Sequence, residues 1–309
     1  MTESTPIAPG TSENEREHAG AADARARSAL VIGCGYLGAE LLRELTRTGW
    51  QASGVTLSES SAETLNREGL QVLAADLRTS DLQVLTKNKP AVIIHCASSG
   101  KAGTAAYREI FFETTERLIK EASFEHLVFT SSTSVYAQID GSIVAETDLA
   151  EPERETGKIL RETEQIVLAR RGTVLRLGGI YGAGRCIPLQ KLLSGEAAIE
   201  GSGERIMNSI HRDDAVSAFC VAARQNLTGT FNVVDDTPVT QLEWHQWVCA
   251  QLGRPLPPFV PRDLNRKRGW TSKKVSNQKL RGFGWVLRYP SFREGVGALL
   301  SERERARTP

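Results

Sequence analysis

The 309 residues carry 38 basic and 37 acidic side chains, a net charge of +1 that gives no electrostatic reason to expect nucleic acid or an anionic membrane, so a small molecule is the expected partner. That length suffices for one large α/β domain or for a larger and a smaller lobe. Five cysteines, Cys34, Cys96, Cys186, Cys220 and Cys249, are odd in number, far apart and without CxxC or Cys/His metal spacing, which predicts free thiols in a reducing cytoplasm and no metal site.

Residues 1–27 hold Glu, Ala, Ser, Thr, Pro and Gly with almost no large apolar side chain, a composition that predicts a disordered tail. Their glutamates argue against a transit peptide, and no apolar run resembles a signal sequence or approaches the ~20 residues of a membrane span. An apolar strand follows at 29–32 and runs into Gly33-x-Gly35-x-x-Gly38, then into a helical pattern with Ala39, Leu41, Leu42 and Leu45. In that context the first glycine permits the tight turn, the second lets backbone approach a pyrophosphate, and the third lets the helix pack against the strand. The helix N-terminus offers unpaired amides to the phosphates, so a dinucleotide is predicted here. Cys34, inside this loop, reads as a small side chain that fits where bulk would clash.

Further along, strands are predicted at 51–57, 71–74, 91–96 and 126–130, alternating with helices at 62–68, 82–86 and 104–122. Strands apolar on both faces and separated by helices predict a doubly wound parallel sheet, the Rossmann arrangement. Ligands in such sheets lie beyond the carboxyl ends of the strands, which directs attention to Thr56, Ser58, Asp76 and the stretches 96–99 and 131–134. A helix at 156–170 and a strand at 173–177 lead to a mobile glycine-rich turn at 178–184. Beyond it come helices at 189–193 and 241–252, a helix opened by His211-Arg-Asp-Asp214 and running to 223, a strand at 229–234, a Pro-rich link at 255–261 and a last helix near 291–300. The expected organisation is a nucleotide-binding domain over 28–180, intertwined with a smaller mixed α/β substrate lobe over 181–309.

Taken together, the glycine loop, Ala75-Asp-Leu77, His95-Cys-Ala97, Thr130-Ser-Ser-Thr-Ser-Val-Tyr136, Gly157-Lys158 with Glu164, Arg176 through Tyr181-Gly-Ala-Gly184, Ile210-His-Arg-Asp-Asp214, and Ser276-Asn-Gln-Lys-Leu280 with Gly284-Trp285 resemble the extended short-chain dehydrogenase/reductase superfamily, in its NAD-dependent epimerase/dehydratase group. The resemblance covers roughly residues 29 to 300. It implies that Gly33, Gly35 and Gly38 with Tyr36 and Leu37 cradle the pyrophosphate, that Asp76 and Leu77 contact adenine, and that Cys96, Ala97 and Ser98 pass beside the ribose and nicotinamide. Ser132 would match the catalytic Ser/Thr, and Lys158 the lysine that binds nicotinamide ribose and lowers the pKa of a catalytic tyrosine. A homodimer formed through a helix pair is a further arrangement it implies.

The tyrosine itself is missing. Four residues before Lys158 stands Arg154, whose guanidinium stays protonated and cannot exchange a proton with the reacting oxygen. Phe111 occupies the region of the family's relay asparagine, and the glycine loop is one residue shorter than GxxGxxG. These departures resemble the atypical subgroup described as nucleoside-diphosphate-sugar epimerase-like. Tyr136, Tyr181 and His211 are alternative proton carriers, each weighed against a packing role. At the end of the second strand Thr56 carries no acid, hydroxyls at Ser58, Ser60 and Ser61 suit a 2′-phosphate, and Glu59 opposes one, so NAD and NADP both remain. The expectation is hydride transfer on a secondary alcohol or ketone, in a nucleotide sugar for instance. A catalytically silent module sensing the redox state of NAD(P) is the alternative, and a structural protein with an empty cleft is a third.

Overall fold

The computed structural model describes residues 27–98, 100, 103–263 and 270–306; apart from Arg27, the predicted tail lies outside the described residues. Seven parallel strands form one sheet: β1 (Ser28–Ile32), β2 (Gln51–Thr56), β3 (Val72–Ala74), β4 (Val92–His95), β5 (His126–Ser132), β6 (Thr173–Leu177) and β7 (Gly229–Val233). Their spatial order is β7-β6-β5-β4-β1-β2-β3. Val31 and Ile32 in β1, Ile93 and Ile94 in β4, and Val128 and Phe129 in β5 are all fully buried, so successive residues face core on opposite sides of the sheet.

Helices cover both faces. On one side α1 (Gly38–Arg47) packs through Leu41, Leu42 and Leu45, joined by Ala215, Phe219 and Ala222 of a later helix, Arg212–Gln225. α2 (Glu59–Arg67) and the single turn α3 (Leu82–Leu85) follow β2 and β3. On the other face lie α4 (Thr104–Arg108), α5 (Thr114–Glu121) and α6 (Glu155–Ala169), packed through Tyr107, Leu118, Ile159 and Val167. The uninterrupted helix expected over 104–122 is instead broken by a π turn at Glu109–Glu113, which presents Tyr107, Ile110, Phe111 and Thr114 together to one cleft.

The remaining helices are α7 (Ile187–Ser194), α8 (Arg212–Gln225), α9 (Gln241–Leu252), α10 (Gln278–Arg281) and α11 (Phe292–Arg305). α7, α9 and α11 enclose a core of their own around Leu192, Trp244, Val248, Phe292 and Val296. Capping boxes start α9 at Thr240 with Glu243 and α11 at Ser291 with Glu294. β7 and α8, although late in the chain, belong to the main sheet and its helical layer. The 178–184 stretch is not a mobile turn: Gly179–Tyr181 is a strand paired in parallel with Ser209–His211, and Gly182 exchanges two backbone hydrogen bonds with Arg185. Within the Pro-rich link, Phe259–Val260 pairs with Ile199–Glu200. Among the described residues no helix is long and apolar enough to cross a membrane, and all five cysteines are free.

Candidate active site

Strand order reverses between β4 and β1, and at their carboxyl ends opens a cleft of about 1240 Å³ lined by both the sheet and the α7–α9–α11 lobe. The three glycines of the first turn have three different surroundings. Gly33 has φ +86°, and a Cβ there would fall 2.4 Å from the Ala97 backbone; at Gly38 a Cβ would fall 2.2 Å from the Gly33 carbonyl. Around Gly35 nothing lies within 4 Å of that position. The outer two glycines thus pack chain against chain, while the middle one borders open cleft. Leu37 precedes α1 without a side-chain cap, and of the first-turn amides that of Ala39 already donates to the Gly35 carbonyl at 2.9 Å.

Gly33, Gly35, Tyr36, Leu37, Asp76, Leu77, Cys96, Ala97 and Ser98 all line the cleft, while Gly38 lies behind it. Asp76 is held by Arg78, whose guanidinium also reaches Glu109 at 3.1 Å, and that pairing keeps its carboxyl below the usual range. Burial pushes the Cys34 thiol up to about 11 and Cys96 up to about 12, so both are protonated fillers. At the end of β2, Thr56 and Leu57 reach the cleft, whereas Ser58 caps α2 and donates to Ser61 Oγ at 2.7 Å.

Ser132 closes β5 at the cleft, its Oγ accepting from the Ser134 amide at 3.2 Å. Neighbouring Ser131 is committed elsewhere, donating to buried Glu164 at 2.6 Å; Glu164 in turn takes both Nε and Nη2 of Arg176, and Arg176 lies 4.8 Å over the Tyr136 ring. The structure does not bring Lys158 to this place. Lys158 is exposed on α6 and outside the cleft lining, as is Arg154; the α6 residue on the lining is Leu160, with Thr156 buried one turn before it. Two residues along a helix rotate a side chain by about 200°, so 158 and 160 cannot share a face. Thr156 and Leu160, four residues apart, share the inward face of α6, and of the two Leu160 reaches the cleft.

Of the alternative proton carriers, Tyr136 is buried and donates to Asn232 Oδ1 at 2.9 Å, off the lining. His211 accepts the Asp213 amide on Nδ1 and packs 4.0 Å from Tyr289, while Asp214 takes the amides of Arg288 and Tyr289. That motif clamps the chain, and burial pushes the His211 imidazolium down to about 4. Tyr181 lines the cleft with its hydroxyl packed on Gly295 of α11, and burial raises its pKa. Phe111 lines the cleft 4.4 Å from Tyr107.

Sequence reasoning missed a set of cations. Arg185 and Arg212 each lie 5.2 Å from the Tyr36 ring centroid, placing two guanidinium groups beside the glycine turn. On the substrate side, Arg205 and the buried Lys273 line the cleft. No motif marks them; the pairing of Lys274–Val275 with Ile143–Val144 and the hydrogen bonds of Asn208 with the Lys273 carbonyl and the Val275 amide hold the second of them in place.

Residues 29–233 match the profile of the NAD dependent epimerase/dehydratase family. The 3-diazoavenalumate denitrifying reductase of Streptomyces sp is 26% identical over 303 residues, 87% of this chain and 98% of that protein. Protein YeeZ of Escherichia coli K12 is 28% identical over 242 residues, 74% and 85% of the two chains. The solved structure of MoeE5 in complex with UDP-glucose and NAD superposes with a TM-score of 0.74 at 22% identity, covering 91% of this chain and all of that one.

Proposed function

This chain belongs to the NAD dependent epimerase/dehydratase family, and we propose that it is an oxidoreductase of the atypical kind, acting on a secondary alcohol or ketone of a small molecule. Gly33, Gly35, Tyr36 and Leu37 would hold the pyrophosphate of NAD or NADP with Arg185 above it; Asp76 and Leu77 would meet the adenine, and Cys96, Ala97 and Ser98 the ribose and nicotinamide side. The observation that carries this reading is the open space at Gly35 between two tightly packed glycines, which leaves the middle of the turn bare toward the cleft. UDP-glucose and NAD in MoeE5 support a nucleotide-sugar substrate, and the name of the Streptomyces relative supports reduction.

When bound, a nicotinamide cofactor supplies or takes a hydride. The protein's part is to orient the substrate oxygen through Ser132 and to exclude water with Leu160, Phe111 and Leu177. With Leu160 and Thr156 on the inward face of α6, no residue of that helix supplies the cation and phenol of a Tyr-Lys pair. The five free thiols suit a reducing compartment, and we place the protein in the cytoplasm.

Fluorescence titration with NADH and NADPH, followed by absorbance assays of reduced cofactor against ketones and sugar nucleotides, tests the reading. Saturable binding of one coenzyme and turnover of a substrate that Ser132→Ala slows are the expected results. Failure of both coenzymes to bind at millimolar concentration would falsify it.

A further inference from the structure

Resting on the reading of the cleft as an oxidoreductase's substrate site, we propose that substrates enter with an anionic group, a carboxylate or a phosphate, which is held between Arg205 and Lys273. Lys273 is 3% exposed and lines the cleft, and its Nζ donates to the Tyr136 carbonyl at 2.7 Å and to Thr271 Oγ1 at 2.8 Å. Both acceptors are neutral, and an ammonium has three N–H groups, so one donor and the whole charge are left without a protein partner. Arg205 has a buried Nε with no hydrogen-bond partner among the described residues, and the Ile206 amide donating to Ser272 Oγ at 3.2 Å holds its segment against that of Lys273; burial first, and the Arg205 charge second, disfavour the protonated form of Lys273. Among the described residues neither cation is in an ion pair.

The rest of the lining offers no compensation. Among the described residues its sole carboxylate is Asp76, which Arg78 neutralises. Two like charges withdrawn from water beside each other are unfavourable unless an anion joins them. A ligand oxyanion placed there gains charge-assisted hydrogen bonds from both. The cofactor's phosphates are not that anion. Lys273 is tied to Tyr136, just past the carboxyl end of β5, whereas the glycine turn follows β1; β4 stands between them, so the two places are about 10 Å apart at ordinary strand spacing.

Dissociation constants of benzoate, phenyl phosphate and benzamide for the full chain, measured with and without saturating NADH, test the assignment. At least one anion is expected to bind about tenfold more tightly than the neutral amide. Arg205→Met and Lys273→Met should each weaken that anion about fivefold or more, leaving benzamide and NADH affinities unchanged. Because Lys273→Met removes a buried tie to Tyr136 and can fail to fold, Arg205→Met and the charge-retaining Lys273→Arg carry the test independently. The better of the two anions identifies the substrate as a carboxylic acid or a phosphate ester. Equal affinities for anions and amide, or indifference of anion binding to Arg205→Met, overturn the proposal. Loss of NADH binding alone, with anion preference intact, would instead overturn the oxidoreductase reading.

Discussion

At Ser132 and Lys158 the same motif-based reasoning leads to opposite structural outcomes, one side chain at the cleft and the other in solvent. The two substitutions therefore separate. Lys158→Ala is expected to leave coenzyme affinity and kcat unchanged within about twofold, since an exposed lysine on the far side of α6 contributes little. Ser132→Ala should lower kcat about 10²-fold, the usual effect of deleting one donor to a reacting oxygen, with little change in coenzyme affinity. Equal effects of the two would restore the Tyr-x-x-x-Lys alignment that Lys158 suggested. His95 poses a residue-scale question of pH. It is fully buried between Phe111 and Phe129, and burial pushes its imidazolium from 6.5 down to about 4. Between those values the unfolded chain binds the proton and the folded one does not, so stability rises with pH across that window and is lost on acidification through it. His211 is shifted the same way. Urea midpoints at pH 7 and pH 5 should differ in the parent protein and differ less in His95→Leu; an unchanged difference would assign the acid sensitivity elsewhere.

Elements explain why some features could be read from the sequence and others could not. The glycine turn was legible because strand, spacing and helix are contiguous, and its geometry separates two substitutions. Gly35→Ala meets nothing within 4 Å, so it should keep the parent melting temperature while weakening coenzyme binding tenfold or more; Gly38→Ala collides with the Gly33 carbonyl and should lower the melting temperature itself. Differential scanning fluorimetry alongside NADH titration resolves the two. The face of α6 was not legible, because residues four apart match a motif in any rotation and only packing chooses the face. The π turn at Glu109–Glu113 leaves no mark in an apolar period, and strands of two residues such as Lys274–Val275 are too short to show one. At β5, Ser131, Glu164 and Arg176 form a buried cluster, and Arg161 at its edge also bonds Glu164. Glu164→Ala strands a buried guanidinium and is expected to cost about 3–5 kcal/mol in urea unfolding, with Glu164→Gln milder because it retains hydrogen bonding.

For the whole molecule, the sheet and its covering helices followed from alternating pattern, whereas the substrate wall did not, since Arg205 and Lys273 are separated in sequence and their segments are joined by side-chain hydrogen bonds, the Ile206 amide donating to Ser272 Oγ and Asn208 bonding the Lys273 carbonyl and the Val275 amide. That wall has a thermodynamic consequence. Residues 33, 35–37 and 96–98 at the strand ends, together with residues 177–181, 185–188 and 205–209 from later in the chain, line one cleft, so a coenzyme lying in it contacts both parts. A ligand that binds only the folded state stabilises it by about 2.7 kcal/mol at a hundredfold excess over Kd. For a chain of this size each kcal/mol raises the melting temperature by roughly 1.5 °C. Saturating coenzyme is therefore expected to shift the melting transition of the full chain by about 4 °C or more, as one transition. The sheet and the α7–α9–α11 lobe have separate hydrophobic clusters, and independent unfolding would show as two calorimetric peaks of which coenzyme moves only the sheet's. A single shifted peak means that the bound coenzyme ties the two clusters into one cooperative unit; two peaks, one unmoved, mean that the substrate wall folds without it and that closure over the cofactor contributes nothing to binding.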